Sequence, residues 1–431
     1  MFKIVLFIPI FFSPLLMGAD VTTLLEKHKG GAWSVTYSTV EPIKKLTFKR
    51  NPDNSRVKRW QPQNSEFVIK YDEDNGLESV TKLDGKGFTE VKIWLTSTYT
   101  PLPKEYASFS PFSDNGFLFH SGRFFACADI CVPELNKWPF EVKAQDKNII
   151  VGGEVYSREA NWIDKDSGQK VYIGNGIPIK DTHFVSLIDT KLPKELKKHI
   201  SNDLPKLMNF FTNKMGALNY RPALFASYSE TINGSYGNQG GTLPGQIFMH
   251  WYGKKSIEQL NSDSVFWFFA HEVAHLYQRK ASEIESQSEA WLHEGVAEYL
   301  AGIATSDLRN NKSLFVKKVN IAKKRCFNGL ENKSSYSEAA KLNPKLHYSC
   351  GLLLINAIDR NLTANNENFD IFRAWNKFNT QVESGEAAAV RTFLNVIKPY
   401  ISDELSRSIN LLSGTDEIDT IEVLKKIAAN K

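Results

Sequence analysis

The sequence predicts an α+β protein in which a β-rich front half precedes a mainly helical rear half. Up to about residue 185, β-branched and aromatic runs alternate with turn-forming dipeptides, whereas everything after Asp263 shows helical spacing of apolar residues. A chain of 431 residues has room for two or three domains. We therefore expect a targeting segment at residues 1–19, a β-rich domain at 20–185 and a second domain at 186–431.

The composition excludes several classes of protein. Hydrophobic residues make up 42% of the chain and charged residues 23%, which is typical of globular proteins and not of disordered or fibrous ones. The 53 Lys and Arg residues against 48 Asp and Glu residues give a net charge of +5. A balance this even gives no electrostatic case for nucleic-acid binding.

The first nineteen residues indicate export. Lys3 precedes an apolar stretch from Ile4 to Met17, and small residues end at Ala19. This pattern predicts a secretory signal peptide cleaved near Ala19, and hence a secreted or periplasmic protein. An uncleaved membrane anchor is the alternative, but the stretch is shorter than the roughly 20 residues that span a bilayer. No later stretch reaches that length without charge, so we expect no stable membrane insertion after cleavage.

Four cysteines suggest disulfide bonds in an exported protein. Four cysteines allow three connectivities, of which local pairing favours Cys127–Cys131 and Cys326–Cys350. A zinc site made of all four is the competing interpretation, although such sites use closer paired spacings.

The front half is predicted to be a β-sandwich-like domain. Strand-like runs at residues 33–37, 67–71, 89–96 and 149–156 are separated by turn formers such as Asn75-Gly76 and Asp84-Gly85. The rear half begins with a predicted helix at 193–215, a strand at 221–228, a glycine-rich passage at 234–245 and a strand at 246–252. Helices are then predicted at residues 264–279, 288–305, 314–324, 349–358, 371–378 and 387–396.

One segment of the rear half carries metal chemistry. Residues 271–275 read His-Glu-Val-Ala-His, so two histidines lie four apart on a predicted helix and point to one side of it. Imidazole nitrogens suit Zn2+, and the glutamate after the first histidine can act on water beside the metal. The surrounding residues are apolar nearly all round, which predicts a buried helix. Two solvated or hydrogen-bonded histidines are the alternative interpretation.

A third donor lies on the next predicted helix. Residues 291–297 read Trp-Leu-His-Glu-Gly-Val-Ala, and eighteen residues separate His275 from Glu294. This pattern resembles the gluzincin metallopeptidases, particularly the aminopeptidase N-like clan. The resemblance implies a thermolysin-like catalytic domain with a small edge sheet. It also implies one Zn2+ per chain, bound by His271, His275 and Glu294, with Glu272 as the general base.

The resemblance extends to two further positions. Glu298 lies four residues after Glu294, and in related gluzincins an acidic residue at this offset orients the first histidine of the metal site. Tyr348 and Gly351 match the Tyr and Gly of a Y-x-K-G motif whose tyrosine donates to the oxyanion, while Cys350 replaces the lysine. A solvated carboxylate and a core tyrosine are the ordinary alternatives for Glu298 and Tyr348.

The amine-anchoring motif of the family is altered. Members carry a G-x-M-E-N segment whose glutamate holds the free amine of the substrate, but here Pro244 follows Gly241, Thr242 and Leu243. The backbone of these three residues is expected to bind an extended peptide. Exopeptidase specificity therefore stays open, although Glu230 or a residue from the front domain could replace the missing carboxylate.

The sequence as a whole predicts an exported zinc metallopeptidase that hydrolyses peptide bonds of a peptide or protein substrate with a zinc-activated water. A non-catalytic exported peptide-binding protein that retains a zinc site is the alternative. Hydrolysis of a non-peptide amide or an epoxide also stays open. Cleavage only at the first residue would indicate an aminopeptidase, and internal cleavage an endopeptidase.

Overall fold

The computed structural model describes residues 21–51, 54–97, 99, 107–132, 137–146, 148–165, 168–258, 260–284, 286–413 and 419–429. The predicted signal peptide lies outside the described residues. The chain divides into two compact units between Ile177 and Pro178.

The front unit consists of short strands and one short helix. Its elements are β1 (Thr22–Lys27), β2 (Trp33–Ile43), β3 (Lys45–Phe48), α1 (Ser55–Arg59), β4 (Trp60–Pro62), β5 (Phe67–Asp72), β6 (Leu77–Lys82), β7 (Phe88–Leu95), β8 (Phe109–Pro111), β9 (Phe117–His120), β10 (Ala126–Ala128), β11 (Trp138–Ala144), β12 (Asn148–Val151), β13 (Glu154–Tyr156), β14 (Glu159–Asp164) and β15 (Lys170–Gly174).

These strands form three sheets, where a simple sandwich would have two. The strand orders are β14-β11-β1-β2-β7-β4, β10-β3-β6-β5 and β13-β12-β15-β9-β8. All three sheets contribute apolar side chains to one core. Strand β11 is an example of how a strand faces this core. Its buried residues Trp138, Phe140, Val142 and Ala144 alternate with less buried ones, as expected for a strand with one face on a core.

One predicted strand of the front unit was wrong. Residues 149–156 form a hairpin of β12 and β13, in which Ile149 pairs with Tyr156. The turn contains Gly152 and Gly153, whose φ angles are +59° and +76°. Glycine adopts such positive angles without the steric cost that a side chain adds, so two glycines in sequence break the strand.

The rear unit begins with a five-stranded mixed sheet. Its strands are β16 (Ile179–Lys180), β17 (Val185–Ile188), β18 (Ala223–Ser229), β19 (Gly237–Leu243) and β20 (Gln246–Tyr252), in the order β16-β17-β18-β20-β19. Strand β17 pairs in parallel with β18. The change of unit after Ile177 comes eight residues before the domain boundary that the sequence predicts after residue 185.

Helices make up the rest of the rear unit. They are α2 (Lys194–Met215), α3 (Lys254–Glu258), α4 (Ser262–Gln278), α5 (Trp291–Leu308), α6 (Lys312–Leu330), α7 (Tyr336–Leu342), α8 (Leu346–Asn365), α9 (Ile371–Glu383), α10 (Val390–Ile397), α11 (Asp403–Ser413) and α12 (Thr420–Ala429). Within the described residues, no helix combines the length and the apolar character needed to cross a bilayer.

Helix α4 lies in the core of the rear unit. The Asn261 side chain caps its first turn by accepting hydrogen bonds from the backbone N–H groups of Asp263 and Ser264. Twelve of its seventeen residues are buried. The predicted buried helix is therefore confirmed, and packing on the core fixes the direction of its buried side chains, among them His271 and Glu272.

Two disulfide bonds join all four cysteines. Cys127 pairs with Cys131 and Cys326 with Cys350, with Cα–Cα distances of 5.1 and 5.0 Å. This is the pairing that the sequence favoured, and it leaves no free cysteine in the described residues for a four-cysteine zinc site. The second bond ties α6 to α8.

Candidate metal centre

Helices α4 and α5 bring three donor atoms to one point. The Nε2 atoms of His271 and His275 lie 3.0 Å apart, and Glu294 Oε2 lies 3.2 Å from each of them. The two histidines are four residues apart on α4, and Glu294 is in the first turn of α5. The three residues predicted as a ligand set are therefore the ones that the structure brings together.

The electrostatics of this point favour a cation. Burial alone would lower the pKa of His271, but the hydrogen bond with Glu294 and the charges of Glu298 and Glu272 outweigh it and raise the pKa to about 9. Burial would raise the pKa of Glu294, but the charge of His275 and the hydrogen bonds from three histidines hold it well below its usual range. The carboxylate is thus charged beside two imidazoles.

The three residues fit a zinc ion. Donors bound tetrahedrally to one zinc lie about 3.3–3.6 Å from each other, given metal–ligand distances of about 2.0–2.2 Å. The observed separations of 3.0 to 3.2 Å are a few tenths of an ångström shorter, so the donors need to move only slightly to bind one ion. Two imidazole nitrogens and a carboxylate oxygen are a donor set that zinc accepts, and three protein donors leave a coordination position for water.

Glu272 lies beside the donor set on α4, and its side chain is held in place by Thr242. The Thr242 hydroxyl lies 2.6 Å from Glu272 Oε2 and 3.1 Å from the backbone oxygen of Glu272. Glu272 is 7% exposed. The sequence predicts Thr242 on a substrate-binding strand but does not predict this side-chain contact, because nothing in it connects two positions thirty residues apart.

Gln278 orients His275 and was also missed. Its Nε2 donates to the backbone oxygen of His293 at 2.7 Å, so its Oε1 must be the atom that faces His275 Nδ1 at 2.7 Å. An amide oxygen only accepts hydrogen bonds, so the Nδ1 of His275 donates to it, and the lone pair of Nε2 faces the shared point whenever the imidazole is neutral. Gln278 is completely buried.

Glu298 lies near His271 without a hydrogen bond to it. Its Oε1 is 3.8 Å from His271 Nδ1, which is beyond hydrogen-bonding distance, while its Oε2 accepts a hydrogen bond of 2.6 Å from Trp267 Nε1. The predicted orienting role therefore rests on an ion-pair distance alone.

Tyr348 stands over the donor set. Its ring stacks on that of His271, with ring centroids 5.6 Å apart and an angle of 26° between the planes. Tyr348 is 39% exposed as a residue, but desolvation of its hydroxyl, followed by the negative charges of Glu294 and Glu272 and a hydrogen bond with Glu294, raises its pKa above the usual range. The phenol therefore keeps its proton and acts as a hydrogen-bond donor, with Glu294 as its acceptor in this structure.

Strand β19 forms one edge of the rear sheet, next to α4. Gly241, Thr242 and Leu243 pair with β20 on one side only. Pro244 and Gly245 form the turn between the two strands, and Gly245 has a φ of +72°. Pro244 thus occupies a hairpin turn where the resemblance expects the amine-binding glutamate.

Three other polar residues of the rear unit lie outside the donor set. His250 is buried in β20 and hydrogen-bonds Ser227 and Ser229. Glu230 is 71% exposed and forms an ion pair with Lys191. His293 lies closer, with its Nε2 at 3.5 Å from Glu294 Oε1.

Comparison with known proteins identifies relatives by fold only. The sequence matches no protein-family model and no curated protein. Among solved structures it is similar to an aminopeptidase N family protein from Idiomarina loihiensis, with a TM-score of 0.64 at 11% identity over 94% of this chain and 78% of that one. Native yeast leukotriene A4 hydrolase gives a TM-score of 0.56 at 13% identity, covering 93% of this chain and 68% of that chain.

A third neighbour is an M1 zinc metallopeptidase from Deinococcus radiodurans bound to a Tyr-Ser-Ala substrate. It gives a TM-score of 0.53 at 11% identity over 93% of this chain and 95% of that one. The described structure, a β-sheet region followed by a helical region, is consistent with the two-domain architecture of M1 peptidases. Identities this low establish the fold and leave activity to direct test.

Proposed function

We propose that this chain is a zinc-dependent peptidase of the gluzincin type. The observation that carries the proposal is the convergence of His271 Nε2, His275 Nε2 and Glu294 Oε2 within 3.0 to 3.2 Å of one another, with the Glu272 carboxylate on the same helix. The fold neighbours support it, since their names include aminopeptidase N and M1 zinc metallopeptidase. The rear unit would be the thermolysin-like catalytic domain.

The proposed chemistry is hydrolysis of an amide. Zinc held by the three donors would supply Lewis acidity, which polarises a carbonyl and acidifies water. Glu272 accepts a proton from the attacking water while the oxygen of that water forms a bond to the carbonyl carbon. Glu272 then passes that proton to the amine nitrogen as the C–N bond breaks.

Tyr348 is the proposed donor to the developing oxyanion. Its protonated phenol stands over His271, on the same side as the donor set. Aimed donors of this kind contribute about 2.7–4 kcal/mol to the transition state. The edge of β19 is proposed to bind the extended substrate backbone through Gly241, Thr242 and Leu243.

Substitution of Glu272 tests the reaction. Glutamine at position 272 has nearly the same size and shape as glutamate but cannot act as a base. We therefore expect turnover of Glu272→Gln to fall about 100-fold or more while one zinc per chain stays bound. The measurement is cleavage of a peptide mixture by mass spectrometry, with zinc content measured on the same samples. Wild-type protein that binds zinc without cleaving any peptide would favour the alternative of an exported peptide-binding protein.

The same cleavage map decides between exo- and endopeptidase action. Pro244 stands in the turn where the family has a glutamate, and proline has no side-chain carboxylate. The carboxylate of Glu230 is paired with Lys191. We therefore propose that the enzyme also accepts substrates without a free amine. N-terminally acetylated peptides cleaved as fast as free ones would support this, and cleavage of free peptides alone would contradict it.

A further inference from the structure

The rear unit concentrates positive charge in one segment. Residues 310–345 contain nine Lys and Arg residues and two Glu residues, a net charge of +7, although the whole chain carries only +5. The rest of the chain is therefore slightly acidic. Six of the nine cations are on α6, which contains no Asp or Glu.

The outer face of α6 presents most of these cations to solvent. Its exposed cations are Lys312, Lys317, Lys323, Lys324 and Arg325. No ion pair joins any of them to another part of the chain that the structure describes. Two aliphatic side chains are exposed among these cations, Val316 at 59% and Ile321 at 38%, which lie five residues apart and so about 140° from each other around the helix.

The face is rigid and long. The opposite side of α6 packs on the core through buried Ala322 and Leu330, and the Cys326–Cys350 bond ties it to α8. Nineteen residues of helix extend about 28 Å. A partner therefore meets a preformed row of cations and needs no folding on binding.

We propose that this outer face of α6 holds the protein on an anionic lipid bilayer surface. A cation near such a surface contributes roughly one kcal/mol of binding. Exposed aliphatic residues between the cations favour a bilayer over nucleic acid, because they gain by entering the headgroup region and gain nothing from a phosphate backbone. This inference concerns a surface away from the donor set and is independent of the proposed peptidase activity.

Vesicle sedimentation with the full chain tests the proposal. We expect wild-type protein to bind mixed phosphatidylcholine–phosphatidylglycerol vesicles, to bind pure phosphatidylcholine vesicles far less, and to dissociate at about 1 M salt, where the Debye length is about 3 Å. Lys3, beside the apolar segment from Ile4 to Met17, also favours anionic vesicles, so the contribution of α6 is measured by the variants described next. Equal binding to both, or none, would overturn the proposal.

Two charge-reversal variants locate the surface. In the double variant Lys317→Glu and Lys324→Glu, two cations of the outer face are lost, so binding should fall about 30-fold or more. The matched control is Lys58→Glu with Lys70→Glu, two exposed lysines of the front unit that change the net charge equally. Unchanged circular dichroism melts ensure that both fold. An equal loss of vesicle binding in the two double variants would show that binding depends on the net charge of the protein, and it would contradict a site on α6.

The aliphatic residues distinguish a bilayer from another polyanion. In the variant Val316→Ser with Ile321→Ser the cations stay, so heparin binding should be unchanged while vesicle binding weakens. A variant that binds vesicles as tightly as wild type would overturn the lipid assignment and favour an acidic macromolecule.

Discussion

Gly295 of α5 and Gly351 of α8 lie in direct backbone contact. A Cβ atom on Gly295 would lie 2.5 Å from the Cα of Gly351, and a Cβ atom on Gly351 would lie 2.5 Å from the backbone oxygen of Trp291. Real Cβ atoms do not approach backbone this closely, so both positions need glycine. Gly295 follows Glu294 directly, and Gly351 lies three residues after Tyr348. The contact thus sets the distance between the proposed oxyanion donor and the donor set.

Alanine at either glycine should therefore separate α5 from α8. We expect Gly295→Ala and Gly351→Ala each to lower the free energy of unfolding by about 1–3 kcal/mol, the usual cost of overpacking a core. Urea unfolding checks this value. The double variant should cost less than the sum of the two, because one helix displacement relieves both clashes. The matched control is Gly385→Ala, whose added Cβ has open space but whose φ of +107° is unfavourable for alanine, so it costs stability without moving α8.

Gln278 should control metal affinity without contacting the metal. Gln278→Leu removes the acceptor for His275 Nδ1 and the donor to the His293 backbone, so zinc affinity should fall about 10- to 100-fold. Competition with a chromophoric chelator measures this affinity without any substrate. Gln381→Leu, on the exposed side of α9, is the control and should bind zinc as the wild type does. An unchanged affinity in Gln278→Leu would mean that His275 is oriented by something else.

Thr242 should act on turnover through Glu272. Thr242→Val keeps the shape of the side chain and removes the hydroxyl that donates to Glu272 Oε2. Loss of a hydrogen bond to a charged group costs about 1.5–3 kcal/mol, so kcat should fall about 10- to 100-fold with KM little changed. Thr242→Ser restores the hydroxyl and should recover most of the activity. A similar loss in both variants would show that the methyl group, and not the hydrogen bond, matters.

His120 should make the front unit less stable in acid. Burial lowers the pKa of His120 well below its usual range, and the charges of Lys170 and Arg50 lower it further. The folded state keeps the imidazole neutral, whereas the unfolded chain binds a proton below about pH 6.5. The unfolded state therefore binds more protons there, and stability falls by about 1.4 kcal/mol between about pH 7.5 and pH 5.5.

Urea titrations at the two pH values measure this loss, with hydrogen exchange of the β9 and β15 amides isolating the front unit. His120→Gln removes the titrating group, so its free energy of unfolding should vary less with pH than that of the wild type. The same slope in both proteins would assign the pH dependence to other groups.

The sequence was sufficient to predict the donor set, because a helix repeat alone places His271 and His275 on one side of α4. Glu294 was predicted from the resemblance to the gluzincin pattern, because a spacing of eighteen residues does not by itself bring a second helix beside the first. Gln278 could have been found as well, since it lies three residues after His275 and such positions are neighbours on a helix. Thr242 could not, because its contact with Glu272 depends on how β19 packs against α4.

Tertiary contacts also explain where predicted elements ended wrongly. Helix α8 extends from Leu346 to Asn365, beyond the predicted 349–358, although its last turns contain polar residues. Asp359 there accepts hydrogen bonds from the Tyr299 hydroxyl and the backbone N–H of Ile371. Those partners come from α5 and α9, so they are invisible to local periodicity. The positive charge of α6 was not predicted for a different reason. The net charge summed over the whole chain conceals a local excess of cations.

The central claim is that one zinc ion binds where His271, His275 and Glu294 converge. Anomalous diffraction at the zinc absorption edge, from crystals grown with zinc, tests it directly. We predict a single strong peak in the rear unit, about 2.0–2.2 Å from both Nε2 atoms and from Glu294 Oε2, with no fourth protein ligand. No peak at that point, or a fourth protein side chain closing the coordination sphere, would contradict the account.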